Sequence, residues 1–149
     1  MKSSEKILGK LNNLLIMNYE VEKIYSEALD LATDDNLKAF FRERGFERNE
    51  FGRQLRDEIV KLNGKPKPLN VLSGNFDNIL ANFKNYILLN NEYDLMEEIY
   101  NLKTKSIEKY NELLMEINLP LSVCKLLVKQ RDSIYSNMNA MKRQDEFVV

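Results

Sequence analysis

Phe40–Phe51 reads FFRERGFERNEF, and what this run builds decides what kind of protein the chain makes. Its residues Phe40, Phe41 and Phe51 fall in phase with Leu37, Leu55, Ile59 and Leu62. That spacing predicts an α-helix with one face buried in a larger body. Within the run, Glu47 and Glu50 stand three residues apart on one helical face. A glutamate followed three positions later by histidine is a metal-binding turn in helical bundles. Here the later position holds glutamate, and the chain has no histidine at all. The run is therefore either a carboxylate-only metal turn or part of a charged layer standing where such a turn would be.

Working outward, Thr33-Asp34-Asp35 supplies N-cap chemistry in front of the run, and Asn63-Gly64 supplies a C-cap behind it. Pro66 and Pro68 then prevent the helix from continuing. Upstream, Leu14, Met17, Val21, Ile24, Ala28 and Leu31 describe one apolar face of a preceding helix. So short a connection between two long helices predicts an antiparallel hairpin. Residues 63–75 form the one real linker, after which Phe76, Ile79, Leu80, Phe83 and Ile87 mark a shorter amphipathic helix closed by Asn90-Asn91. A third long helix carries Leu95, Ile99, Leu102, Tyr110, Leu113 and Ile117 inward, and Asn118-Leu119-Pro120 interrupts it. The last helix shows Leu121, Cys124, Leu127, Tyr135, Met138 and Met141 on one face, followed by a frayed tail over 145–149. No strand period and no hairpin turn signal occurs.

The expected helices are about 4–32, 35–62, 76–89, 92–117 and 120–144 of a single domain spanning 1–149. The fold class read from them is all-α: a four-helix bundle with an extra short helix in the crossover between two antiparallel helical hairpins. The chain's 149 residues suit one domain, and 44% apolar with 30% charged residues is ordinary for a globular protein. Twenty-two basic against 23 acidic residues, a net charge of −1, gives no reason to expect a nucleic-acid or anionic-membrane partner. The single Cys124 rules out a disulfide framework and fits a reducing, cytoplasmic compartment. No secretory signal or membrane span is expected.

The runs LNNLLIMNYEVEKIYSEALD (11–30), LKAFFRERGFERNEFGRQLRDEIVKLNGKP (37–66) and KSIEKYNELL (105–114) resemble a bacterial ferritin-like four-helix-bundle family of unknown function, found among small stress-associated proteins. The resemblance runs from Lys6 to about Leu119. It is carried by apolar spacing, the Tyr25-x-x-Ala28 turn, the Arg/Glu/Phe run and the Gly-x-Pro linker. It implies a ferritin-like bundle that often pairs as a homodimer, and it brings no activity with it.

A di-iron or di-manganese centre in such a bundle needs inward carboxylates from all four helices, because two dications in an apolar interior must exchange their hydration shells for negative ligands. The first long helix offers Glu20 and Glu22, and the second offers Glu47 and Glu50. The third carries Lys103 and Ser106 at mid-seam, and the fourth only Asp132 beside Arg131. Arg44, Arg48, Lys103 and Arg131 are instead expected at mid-bundle, where cations oppose a metal ion and suit Glu22 and Glu47. Two arrangements stay open: a buried ion-pair layer of Glu22, Arg44, Glu47, Arg48, Lys103 and Arg131, or outward Arg48, Glu50 and Lys103 with a snorkelling Arg44.

Cys124 reads as a buried inert thiol, and Tyr19, Tyr25, Tyr110 and Tyr135 as core residues with bonded hydroxyls. The expectation is a non-enzymatic protein without cofactor or metal, associating as a homodimer, with a protein partner able to dock on the short helix 76–89. The competing expectation is a carboxylate-only metal oxidoreductase or iron-binding protein built on Glu20 or Glu22, Glu47 and Glu50.

Overall fold

In the computed structural model, five helices follow one another: α1 (Lys2–Leu31), α2 (Asp35–Lys61), α3 (Asp77–Leu88), α4 (Glu92–Leu114) and α5 (Leu121–Phe147). The structure describes the backbone of residues 2–69 and 73–147 and the side chains of 4–69 and 73–138, and among these there is no strand. Asp34 begins α2 as the sequence suggests: its carboxylate accepts from the backbone N–H of Asn36 at 2.7 Å and of Leu37 at 3.1 Å. At the other end Asn63 turns to φ 62°, which lets the Gly64 N–H reach the Ile59 carbonyl at 2.9 Å. Asn90 and Asn118 make the same left-handed turn after α3 and α4, at φ 54° and 69°. Asparagine, whose short side chain tolerates this region, thus closes three of the five helices.

α1 packs on α2, α3 and α4, while α5 packs on α4 and α2. The four long helices therefore form a square in the order α1, α2, α5, α4. Lys10 near the start of α1 pairs with Glu116 just past the end of α4, and Ser122 at the start of α5 donates to Glu58 near the end of α2. Every adjacent pair is antiparallel, so the diagonal helices α2 and α4 run in the same direction. The connection between them must climb the length of the bundle, and α3 occupies that climb.

α3 lies against α1 and α4 with Phe76, Ile79 and Phe83 buried. Phe83 meets Tyr25 and Phe41 with ring centroids 6.4 and 6.3 Å apart. The apolar face of the short helix is thus covered within the chain, and Leu88 and Leu89 at its end are what remain exposed.

Two parts of the inward pattern differ from expectation. α4 stops at Leu114, so Ile117 falls in the following turn and is 81% exposed. On α5 the buried stripe is Val123, Leu127, Gln130, Ile134 and Met138. It shares Leu127 and Met138 with the expected face but is rotated by one residue elsewhere. Cys124 is consequently half-buried, Leu121 exposed and Tyr135 53% exposed. α5 also continues to Phe147, past the expected end at 144. The inward position expected of the Met141 side chain and the last two residues of the expected tail lie outside the described residues.

No helix among the described residues is long and apolar enough to cross a membrane.

Candidate functional site

Midway along the bundle the apolar core is interrupted by a polar layer to which all four long helices contribute. Asn18 on α1 donates through Nδ2 to the Tyr110 hydroxyl on α4 at 3.1 Å. Tyr110 Oη donates to Gln130 Oε1 on α5 at 2.6 Å. Gln130 Nε2 donates to the Phe51 carbonyl at 3.2 Å and to Gln54 Oε1 at 3.0 Å, both on α2. Arg48 closes the circuit, donating from Nη1 to Asn18 Oδ1 at 3.1 Å and from Nη2 to Ser106 Oγ at 3.0 Å. Ser106 passes its own proton to the Leu102 carbonyl at 3.0 Å. Asn18, Arg48, Ser106, Tyr110 and Gln130 are all buried. Burial raises the Tyr110 hydroxyl to about 12, against the opposing pull of Arg48, so it remains a neutral donor.

Arg48 and Ser106 sit on α2 and α4, the diagonal pair, so their contact crosses the centre of the bundle. A second contact crosses the same diagonal: Lys103 Nζ on α4 lies over the Phe40 ring on α2, 5.3 Å from its centroid. Arg48 and Lys103 are each only 2% exposed. Lys103 Nζ and the Arg44 Nε find no hydrogen-bond partner among the described residues, and neither does the buried Tyr25 hydroxyl. Desolvation, reinforced by the charges of Arg44 and Arg48 and only partly opposed by Glu47, lowers Lys103 to about 7. Burial pushes Tyr25 up to about 12, again against Arg48 and Arg44.

The expected layer residues divide between this centre and the surface. Arg44 pairs with Glu47 at 3.6 Å, and Glu47 also accepts from Ser133 Oγ at 2.9 Å and Asn137 Nδ2 at 3.2 Å on α5. Arg48 and Lys103 are buried in the middle, but Arg48 is held by amide and hydroxyl groups and not by a carboxylate. Glu22 lies toward the surface, accepting from Asn49 at 3.0 Å instead of meeting an arginine. Arg131 is turned out to Asn111 at 2.9 Å and Asp132 at 3.2 Å. One residue along a helix is a rotation of about 100°, so the buried Gln130 places Arg131 on the flank.

The carboxylates named as candidate metal ligands do not converge. Glu20 accepts from Ser73 Oγ at 2.7 Å in a groove of about 340 Å³ between α1, the linker and α4. Glu50 is bound by Arg53 Nε at 3.0 Å, which lowers its pKa through the hydrogen bond and charge of that arginine. Among the described residues no three His, Cys, Asp or Glu side chains group as a metal site. At the level where a dinuclear centre would need carboxylates from α4 and α5, those helices present Lys103, Ser106, Tyr110 and Gln130. This donor set is cationic and neutral, and it does not fit two dications.

The sequence reading missed Asn18, Gln54 and Gln130. The available signal was phase: Asn18 falls between Leu14 and Val21, and Gln130 between Leu127 and Ile134, each in step with buried neighbours.

The model of a family described as Domain of unknown function (DUF2383) matches residues 6–116. No curated protein and no solved structure matches the chain.

Proposed function

The chain belongs to the DUF2383 family, and we propose that it is a non-enzymatic, ferritin-like helical bundle whose centre carries a hydrogen-bonded cationic layer where related bundles carry metal ions. On this reading it works as a homodimeric interaction protein, in keeping with the stress-associated resemblance of its sequence. The observation that carries the proposal is the diagonal: Arg48 and Lys103, both buried, occupy the middle of the bundle. Glu20, Glu22 and Glu50 are each engaged elsewhere. A cation at that position raises the energy of any neighbouring dication and competes for Glu47, the carboxylate whose charge reaches Lys103.

Calorimetric titration of Fe(II) and Mn(II) into protein purified without chelator tests the proposal. The expected result is no stoichiometric uptake. Stoichiometric binding that disappears in Glu47→Ala would reject it in favour of carboxylate-only metal chemistry.

A further inference from the structure

Among the described residues, Arg44, Arg48 and Lys103 share the middle of the bundle with Glu47, while the exposed Glu43 reaches Arg44 alone, at 3.8 Å. The two arginines act on the same neighbours, since Arg44 and Arg48 both oppose the charge of Lys103 and both act on Tyr25. Glu47 is already engaged by Arg44, Ser133 and Asn137. Among the described residues the charges acting on Lys103 are those of Arg44, Arg48 and Glu47, while α1 presents Tyr25 and Asn18, α3 presents Phe83, and α5 presents Gln130 with Arg131 turned outward. The layer therefore holds an excess of positive charge in an interior where isolated charge is costly.

Among the described residues four buried side-chain atoms lack a partner: Glu27 Oε2, whose carboxylate meets Lys84 through its other oxygen, and Lys103 Nζ, Arg44 Nε and Tyr25 Oη, each with a hydrogen to donate and no acceptor. Phe40 touches both Tyr25, at 6.3 Å between rings, and Lys103, so these groups border one region. Buried polar groups almost always have partners, and unmet ones point to a water or an ion. Water could satisfy the donors but would leave the excess charge. An acceptor carrying negative charge answers both.

We propose that this centre binds one small monovalent anion, of halide or nitrate size, between Lys103, Arg44 and Tyr25. Larger or multiply charged anions are disfavoured because Lys103 lies over the Phe40 ring, which is itself packed against Phe41 and Tyr25. Arg48, occupied by Asn18 and Ser106, adds field without adding a ligand atom. Anion binding and protonation of Lys103 are coupled, since the anion favours the ammonium form and the ammonium favours the anion. With Lys103 resting near 7, anion affinity falls as the pH rises through neutrality. The inference uses the cationic layer, but its readouts are separate from the metal titration, so either proposal can fail alone.

Crystals of the wild-type protein grown in bromide give the direct test. An anomalous peak within hydrogen-bond reach of Lys103 Nζ is expected, and the absence of a peak there overturns the proposal. In solution, chloride or bromide should raise the unfolding temperature above that in gluconate of equal ionic strength, with proton uptake near neutral pH. Lys103→Met should remove the halide effect and Lys125→Met should keep it. A halide effect that survives in Lys103→Met is a general salt effect and also overturns the proposal.

Discussion

An arginine as buried as Arg48 is ordinarily matched to a carboxylate, yet among the described residues its guanidinium is held by Asn18 and Ser106. Charged hydrogen bonds of this kind are worth about 1.5–3 kcal/mol each, but the burial of an unpaired charge beside Arg44 and Lys103 works against them. Tyr110 carries no such opposing term. Its hydroxyl joins Asn18 to Gln130, and removing it leaves Gln130 Oε1 without a donor and Asn18 Nδ2 with only the Leu14 carbonyl. Tyr110→Phe should therefore destabilise by about 1–3 kcal/mol, and Arg48→Met by less, as read from denaturant midpoints. The reverse order would show that the cation, and not the neutral circuit, organises the layer. Lys103 gives a pH signature. Its ordinary value of 10.5 applies in the unfolded chain and about 7 in the folded one. Between those values the unfolded chain holds more protons, so in gluconate buffer stability rises with pH across that window and is flat for this group below it. Lys103→Met should flatten the rise and stabilise the protein below neutrality by about 1–4 kcal/mol, the range seen when buried charges become apolar. Parallel pH profiles for the two proteins would refute the assignment.

At the scale of the element, what could be read from the residues depended on whether a helix's polar positions lay on its surface or in its seam. α2 was legible because Asp34 caps it, Asn63 and Gly64 close it, and Phe41, Phe51, Leu55 and Ile59 share one buried phase. α5 was not, because its buried stripe contains Gln130. A pattern restricted to apolar residues drifts to Cys124 and Tyr135, one position from the buried Val123 and Ile134. Periodicity fixes the face only when the face is apolar throughout, and a buried hydrogen-bonding layer breaks that condition where function or specificity would be sought. α3 yields its own test. Phe83 is fully buried among Tyr25, Phe41 and the rest of the core, so Phe83→Ala should cost about 3–5 kcal/mol. A change below about 1 kcal/mol would mean that α3 is loosely attached and its apolar face free for a partner. The hairpin closure is tested at Gly64, where an added Cβ would lie 2.4 Å from Leu8 Cδ2 and 3.0 Å from Ile59 Cγ2. Gly64→Ala should cost about 1–3 kcal/mol through this overpacking, whereas Asn63→Gly, which relieves a left-handed asparagine, should be neutral or mildly stabilising.

For the whole molecule, the bundle followed from four long helices and one long connection, since a parallel α2 and α4 require a crossover that spans the bundle. The charge inventory left Arg48 and Lys103 open between an inward and an outward placement; both are buried, and which groups would receive them could not be read from spacing. Partners across a diagonal are set by the rotation of two helices that do not touch along their backbones. The same topology brings the ends of α2 and α4 and the start of α5 to one end of the bundle. Val60, Met115, Ile117 and Leu121 are all exposed there. Exposed apolar side chains gathered in one region mark association surfaces, and a twofold dimer would bury each of them against the same surface of a second copy. On the homodimer proposal, light scattering should give twice the monomer mass, and the unfolding temperature should rise with protein concentration, because association stabilises by mass action. Replacing Met115 and Ile117 together by serine should yield a monomer whose unfolding temperature no longer depends on concentration, since neither side chain contributes to the core. A wild-type protein that stays monomeric at high micromolar concentration, with a concentration-independent transition, would remove the dimer and leave that end of the bundle without an assigned occupant.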